Sequence, residues 1–216
     1  MAPVRCSPIP VKAAQLRLIG GRRLRSPQGQ GTRPTTSRVR EALMNILSSR
    51  IKGCHWLDLC SGSGVMGCEA LTRGASHVVA VEKDPRTAAI CRDNLELVAA
   101  KDACDATVRV IRKDLLSWLK EGRLCSEEKF SIVYLDPPYA SGLYCPALDM
   151  LDRGRWVRSK GLVICEHSSK ETIPLPSGWS AADQRQYGSS SLLILSPRER
   201  CHGDTDSRRQ RTGPEV

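Results

Sequence analysis

The sequence predicts an α/β fold, a doubly wound and mostly parallel sheet with an N-terminal β-hairpin and helix extension. Three observations predict it. From residue 55 onward, short apolar runs alternate with helix-like stretches, the pattern that parallel βαβ units produce. The first of those runs leads directly into a glycine-rich turn. The fourth ends in Asp136-Pro137-Pro138-Tyr139, where two prolines forbid continuation of either a strand or a helix.

The elements follow in order. Leu16 to Gly21 reads as a strand that Arg22 to Arg25 can continue, with a turn at Ser26-Pro27-Gln28-Gly29. Thr36 or Ser37 can cap a helix whose apolar stripe is Val39, Ala42, Leu43, Ile46 and Leu47, ending before Gly53. Trp56 to Cys60 is the first core strand, and Val65 to Arg73 a helix stopped by Gly74. Val78 to Val81 is the second strand. Asp84 then caps a helix with Pro85 at its first position, running to about Val98. Thr107 to Ile111, Ser131 to Leu135 and Leu162 to Cys165 are further strands, with helices at Leu115 to Leu119 and Leu143 to Leu151 between them. Ser180 to Tyr187 and Leu192 to Leu195 form a closing hairpin. The organisation is therefore a flexible basic segment over 1–15, a hairpin and helix over 16–54, the sheet domain over 55–196, and a disordered tail over 197–216.

The 216 residues are 40% hydrophobic and 26% charged, an ordinary globular composition. No apolar run is long enough to span a membrane. The first ten residues have no apolar signal region, although a basic, acid-free start is also what organellar targeting segments show. The ten cysteines are scattered, without a C-x-x-C pair. They read as reduced thiols in a reducing compartment, and neither disulfides nor a metal site are expected. The net charge of +10 is lopsided: residues 1–40 carry nine Lys/Arg and no acid. A basic segment of that kind attracts a polyanion through phosphate contacts. Arg22, Arg23, Arg25, Arg38 and Arg40, within the structured part of it, are the candidate phosphate contacts.

Asp58-Leu59-Cys60-Ser61-Gly62-Ser63-Gly64-Val65-Met66-Gly67 links the first strand to a helix. Glycines there let the backbone turn sharply and approach a ligand. Gly62, Gly64 and Gly67 satisfy G-x-G-x-x-G, with Glu82 about twenty residues on, so a dinucleotide is one reading. Two features oppose it. Asp58, at the strand end, is a poor neighbour for a pyrophosphate and a good acceptor for an ammonium group. The D-P-P-Y corner is also foreign to dehydrogenases. An acid separated by three residues from a G-x-G, with a second acid closing the next strand, resembles the S-adenosylmethionine pocket of Rossmann-like methyltransferases. That resemblance implies that Gly62 to Gly64 approach the cofactor, Asp58 its amino group, Glu82 both ribose hydroxyls and Asp114 the adenine amine. As residue types, a carboxylate's two oxygens suit a vicinal diol.

At the D-P-P-Y corner a stiff turn holds the Asp136 carboxylate and the neighbouring carbonyls. An exocyclic base amine is a weak nucleophile, and acceptors on its N–H groups orient its lone pair. Tyr139 offers a flat face on which a base can stack.

With both motifs in view, the chain resembles the bacterial ribosomal RNA small subunit methyltransferase D family. The resemblance rests on Arg17-Leu18-Ile19-Gly20-Gly21-Arg22-Arg23-Leu24, on Gly31-Thr32-Arg33-Pro34-Thr35-Thr36-Ser37-Arg38-Val39-Arg40-Glu41-Ala42-Leu43, on Val81-Glu82-Lys83-Asp84 and on both motifs above. Cys60-Ser61 departs from the more usual Phe/Tyr-Ala/Ser before the glycines. The resemblance implies a class I methyltransferase fold and S-adenosyl-L-methionine as cofactor. It implies methylation of the N2 amino group of a guanine in 16S ribosomal RNA, free or in a partly assembled small subunit. It assigns Asp136, Pro137, Pro138 and Tyr139 to catalysis, and adds Arg33, Thr35, Ser61, Ser63, Lys83 and Leu115 to the cofactor pocket. A cytoplasmic or organellar monomer needing neither membrane nor metal is the expectation. Other classes compatible with the residues are an adenine-N6 methyltransferase on DNA or RNA, an NAD-dependent oxidoreductase, and a non-catalytic RNA-binding assembly factor.

Overall fold

The computed structural model describes residues 15–27, 36–103, 105–122, 129–138 and 141–199. The chain order is α1 (Ser37–Ile46), α2 (Ser48–Ile51), β1 (His55–Leu59), α3 (Val65–Thr72), β2 (His77–Val81), α4 (Pro85–Asp102) and β3 (Thr107–Ile111). It continues through α5 (Leu115–Glu121), β4 (Phe130–Leu135), α6 (Tyr144–Arg153), β5 (Val157–Ser168), β6 (Trp179–Tyr187) and β7 (Ser190–Pro197). The seven strands form one sheet in the order β3-β2-β1-β4-β5-β7-β6. Strands β1 to β5 run parallel, and β7 is antiparallel to both of its neighbours. The sheet is the doubly wound, mostly parallel one expected.

Side-chain alternation divides the core in two. Trp56, Val78, Ala80, Ile132 and Tyr134 face α1, α3 and α4. Leu57, Leu59, Val79, Val81 and Val133 face α5 and α6, where Trp118, Phe130 and Trp156 fill the layer. The order of strands reverses between β1, which leads to β2 on one side, and its other neighbour β4. A doubly wound sheet opens a crevice at the carboxyl end of such a switch point.

Helix signals were accurate because their chemistry is local. The Thr36 side chain accepts from the Val39 N–H, and the Asp84 side chain from the Thr87 N–H, as helix caps. Differences from expectation are physical. The N-terminal hairpin turns at Ile19-Gly20, not after Arg25: Gly21 has φ +83°, Leu18 N–H donates to Arg22 O, and Leu24 N–H donates to Leu16 O. Glycine supplies the left-handed backbone this tight turn requires, so Arg22 to Arg25 form the returning arm. Of the expected 26–29 turn, only Ser26 and Pro27 lie among the described residues. Strand β5 starts at Val157, well before Leu162: buried Val157 lies opposite Phe130, and the polar residues after it fall in a register shift before Leu162 meets Ile132.

Candidate functional site

The glycine turn leaves β1 at Leu59. Cys60, Gly62 and Gly64 all have positive φ, at 60°, 53° and 75°. The turn is tied to the sheet by the Ser61 N–H on Val81 O at 3.0 Å, and closed by the Gly64 N–H on Ser61 O at 2.8 Å. Its two central glycines face opposite surroundings. A Cβ on Gly62 would meet no atom of the described residues within 4 Å, whereas one on Gly64 would lie 2.7 Å from Cys91 Sγ. Gly64 is packed against α4, and Gly62 borders open space.

Glu82, just beyond β2, straps this turn to the next loop. Its Oε2 accepts from the Gly62 N–H at 3.0 Å and its Oε1 from the Asp84 N–H at 2.9 Å. A carboxylate oxygen carries two lone pairs, so each keeps a place for a hydroxyl donor. Asp58 is buried, at 1% exposure. The Gly67 N–H donates to it, while its Oδ2 has no hydrogen-bond partner among the described residues. Burial pushes its carboxyl up to about 8; the Gly67 hydrogen bond opposes that and the nearby Glu82 charge adds to it. An orphaned acceptor of this kind at the sheet edge suits a cationic donor. Asp114 caps α5, its Oδ1 accepting from the Ser117 N–H at 3.0 Å, with Leu115 buried behind it. Lys83 is exposed and Ser61 and Ser63 lie within the turn.

Across the switch point, Leu59 pairs with Leu135, and the Asp136 N–H reaches Leu59 O at 3.5 Å. Asp136 is half-buried, Pro137 buried and Pro138 exposed; Tyr139 lies outside the described residues. The thiol of Cys60 registers how closely the acids converge. It is pushed up to about 12, by burial first and then by Glu82, Asp136 and Asp58 together. Two motifs distant in sequence thus surround one point at the carboxyl edge. Tyr144, opening α6, is also within the field of Asp136. Burial and then that charge raise its phenol, whose O–H donates to Glu166 O at 2.5 Å.

The geometry can be set beside known proteins. The family model described as "Conserved hypothetical protein 95" matches residues 16–196. Ribosomal RNA small subunit methyltransferase D of Escherichia coli (strain K12) is 30% identical over 199 residues, covering 90% of this chain and 96% of the relative. The chain belongs to the ribosomal RNA small subunit methyltransferase D family. A relative named putative rRNA methyltransferase YlbH, from Bacillus subtilis (strain 168), is 31% identical, with coverage of 82% and 95%. A solved structure, the putative methyltransferase yhhF from Escherichia coli, superposes with a TM-score of 0.70 at 30% identity, covering 86% of this chain and 99% of that one.

The basic segment of this methyltransferase D family member is used differently from the expectation that five arginines face phosphates. Arg40 is buried. It is ion-paired with Glu69 at 3.6 Å and donates to Arg17 O at 2.6 Å. Its guanidinium therefore holds the fold together and does not face a phosphate. Arg22 binds Asp102 through both terminal nitrogens, and Arg25 pairs with Asp93. Arg23 and Arg38 are exposed. Arg33 and Thr35 lie outside the described residues. Two residues were missed by sequence reading. Glu69, fully buried, accepts from the Ile19 N–H at 2.9 Å and from Arg73 at 2.8 Å. Its signal was present, a lone acid inside the apolar helix Val65 to Leu71. Asn94, buried on α4, had none.

Proposed function

We propose that this chain transfers a methyl group from S-adenosylmethionine to the exocyclic N2 amine of a guanine in 16S ribosomal RNA, free or in a partly assembled small subunit. One observation carries the reading. The β1/β4 switch point brings the Gly62–Gly64 turn, strapped by Glu82, beside Asp136 of the D-P-P-Y corner. The residues present fit the cofactor. Open space beside Gly62, the orphaned Oδ2 of Asp58 and the outward lone pairs of Glu82 match a backbone approach, an ammonium group and a ribose diol. Asp114 would accept from the adenine amine, with Leu115 against the ring; Arg33, Thr35, Ser61, Ser63 and Lys83 complete the pocket. When bound, S-adenosylmethionine supplies an electrophilic methyl group on a sulfonium that is its own leaving group.

The chain's residues do the rest. The target guanine leaves its stack, as base-modifying enzymes require. Asp136 and a carbonyl of the Pro137-Pro138 turn accept the N2 hydrogens, directing the lone pair; the Asp136 carboxylate takes the proton released as the N–C bond forms. Alignment of this kind contributes roughly 7–11 kcal/mol of a barrier, and stacking on Tyr139 about 1–3 kcal/mol of binding. Exposed Arg23 and Arg38 would contact phosphates. The nearest alternative chemistry sharing D-P-P-Y acts on adenine N6. The reading places the protein as a cytoplasmic monomer. No helix among the described residues is long and apolar enough to cross a membrane.

The test is labelled methyl transfer to naked 16S RNA and to partly assembled small subunits, with nucleoside analysis of the product. N2-methylguanosine is expected, and N6-methyladenosine would replace the proposal by its alternative. Asp136→Ala should abolish transfer while leaving affinity for S-adenosylhomocysteine nearly unchanged. Wild-type turnover by that variant would remove Asp136 from the mechanism.

A further inference from the structure

Asn94 sits on the inner face of α4, at 1% exposure, among Cys91, Leu95 and Val98. An apolar residue would fill that space at no polar cost. The amide instead makes three hydrogen bonds of 2.9 Å: Oδ1 accepts from the Arg25 N–H, while Nδ2 donates to Arg25 O and to Ser63 O. Only this orientation satisfies all three, because the flipped amide would turn an NH2 group against the Arg25 N–H. One side chain therefore grips the backbone of the N-terminal arm on both of its polar groups, and with its remaining hydrogen grips the middle of the glycine turn. The turn has little freedom elsewhere. Gly64 is pressed onto Cys91, and Ser61 Oγ lies 3.5 Å from Cys91 Sγ. The arm continues in sequence toward Arg33-Pro34-Thr35.

We propose that Asn94 is a positioning residue that couples the N-terminal arm to the cofactor turn, so that docking of the arm and binding of S-adenosylmethionine reinforce each other. The inference rests on the cofactor reading above and goes beyond it: arm and pocket are one thermodynamic unit. Linkage is reciprocal, so whatever holds the arm tightens the cofactor, and the cofactor tightens the arm. The second buried tie, Glu69 to the Ile19 N–H, holds the tip of the hairpin to α3 and makes no hydrogen bond to the glycine turn; it steadies the arm without completing this link.

The test uses the full chain and S-adenosylhomocysteine. Titration calorimetry gives the dissociation constant and, through stoichiometry, the folded fraction; tryptic cleavage after Arg23 and Arg25 reports the arm. In the wild type the ligand should slow that cleavage. Asn94→Ala should weaken binding by a factor of about 5 to 150, the usual range of coupling between two sites, at unchanged stoichiometry, and abolish the protection. Asn94→Asp keeps size and the Arg25 acceptor but sets a carboxylate against two carbonyls, and should behave alike. Glu96→Gln, exposed on the same helix, should leave both readouts unchanged. A side chain that merely fills the core would lower the melting temperature and leave affinity and protection as in the wild type, which overturns the proposal. Hydrogen exchange at the Arg25 amide of the wild type decides the matter without a variant: ligand should slow it, and an unchanged rate overturns the coupling. Absence of any S-adenosylhomocysteine binding by the wild type would overturn the cofactor reading itself, a result distinct from wild-type behaviour in Asn94→Ala.

Discussion

Replacing Gly64 by alanine separates the two things a glycine can do in this turn. The first cost is conformational. The residue holds φ at +75°, and a left-handed backbone costs an L-residue about 1–2 kcal/mol. The second is steric. The new Cβ would stand 2.7 Å from Cys91 Sγ and 3.4 Å from both Cys91 O and Leu95 Cγ. Cys91 is wholly buried and backed by Ser61, and overpacking such a site costs about 1–3 kcal/mol. The expected loss is therefore about 2–5 kcal/mol, a large part of the roughly 5–15 kcal/mol that holds a domain folded. Urea unfolding measures it. Adding Cys91→Ala removes the obstructing sulfur, so the double variant should recover the steric part and retain the conformational one; residues in contact are expected to be non-additive in this way. Gly62→Ala is the contrast. Its φ of +53° imposes a similar conformational cost, but its Cβ meets no described residue within 4 Å, so stability should fall by about 1–2 kcal/mol while S-adenosylhomocysteine affinity falls sharply. Stability of Gly64→Ala within ~0.5 kcal/mol of the wild type, the usual effect of a neutral surface change, would refute the packing account. So would a failure of Cys91→Ala to rescue it.

Two further outcomes follow from buried charge. Because burial holds the Asp58 carboxyl at about 8, the folded chain keeps a proton that the unfolded chain releases near pH 4; this group's stabilisation is complete below that and is lost as pH rises toward 8. Asp58→Asn should flatten the unfolding free energy across that window, and an unchanged slope would contradict the assignment; in the wild type alone, an ammonium-bearing cofactor should expel the proton, read by calorimetry in buffers of different ionisation enthalpy. Arg40→Ala should cost about 3–5 kcal/mol in urea unfolding, because it strips one cation from buried Glu69. Arg23→Gln and Arg38→Gln should each leave stability unchanged and reduce the salt slope of single-stranded RNA binding by about 0.7; an unchanged slope would return those side chains to solvent.

Much of the fold was legible because its signals are local. Asp84 and Pro85, Thr36, Gly74 and the apolar runs each decide their own few residues, and the elements form close to where those residues stand. The switch point was legible too, since a glycine turn after the first strand and a proline corner after the fourth belong at the same edge of a doubly wound sheet. What stayed hidden were pairings between distant segments. The hairpin turns at Ile19-Gly20, inside a run that reads as one strand, because Gly21 supplies the left-handed backbone that lets Arg22 to Arg25 double back. Strand β5 grew at its start because buried Val157 pairs with Phe130 of β4, and a register shift takes up the polar residues that follow it. Asn94 looks like any polar residue on an amphipathic helix until the arm and the glycine turn are folded against it.

The arginines show why charge counted along a chain overstates what is available to a partner. Nine bases without an acid in the first forty residues imply a polyanion-binding segment. Folding brings Asp93, Asp102 and Glu69 to that segment from α4 and α3, and three of its arginines are drawn into ties that hold it on the sheet domain. The acids that neutralise it are distant in sequence, so no local count could include them. Those ties constrain rather than weaken a role in RNA binding. An arm fastened to α3 and α4 holds Arg23 and Arg38 in a fixed frame, so the phosphate contacts proposed for them would need no ordering of a loose tail at the moment of binding, a cost that disordered basic segments bear in full. On this account the same substitution has opposite signatures at neighbouring positions. Loss of Arg40 appears in the unfolding free energy, and loss of Arg38, two residues away on α1, in the salt dependence of RNA binding.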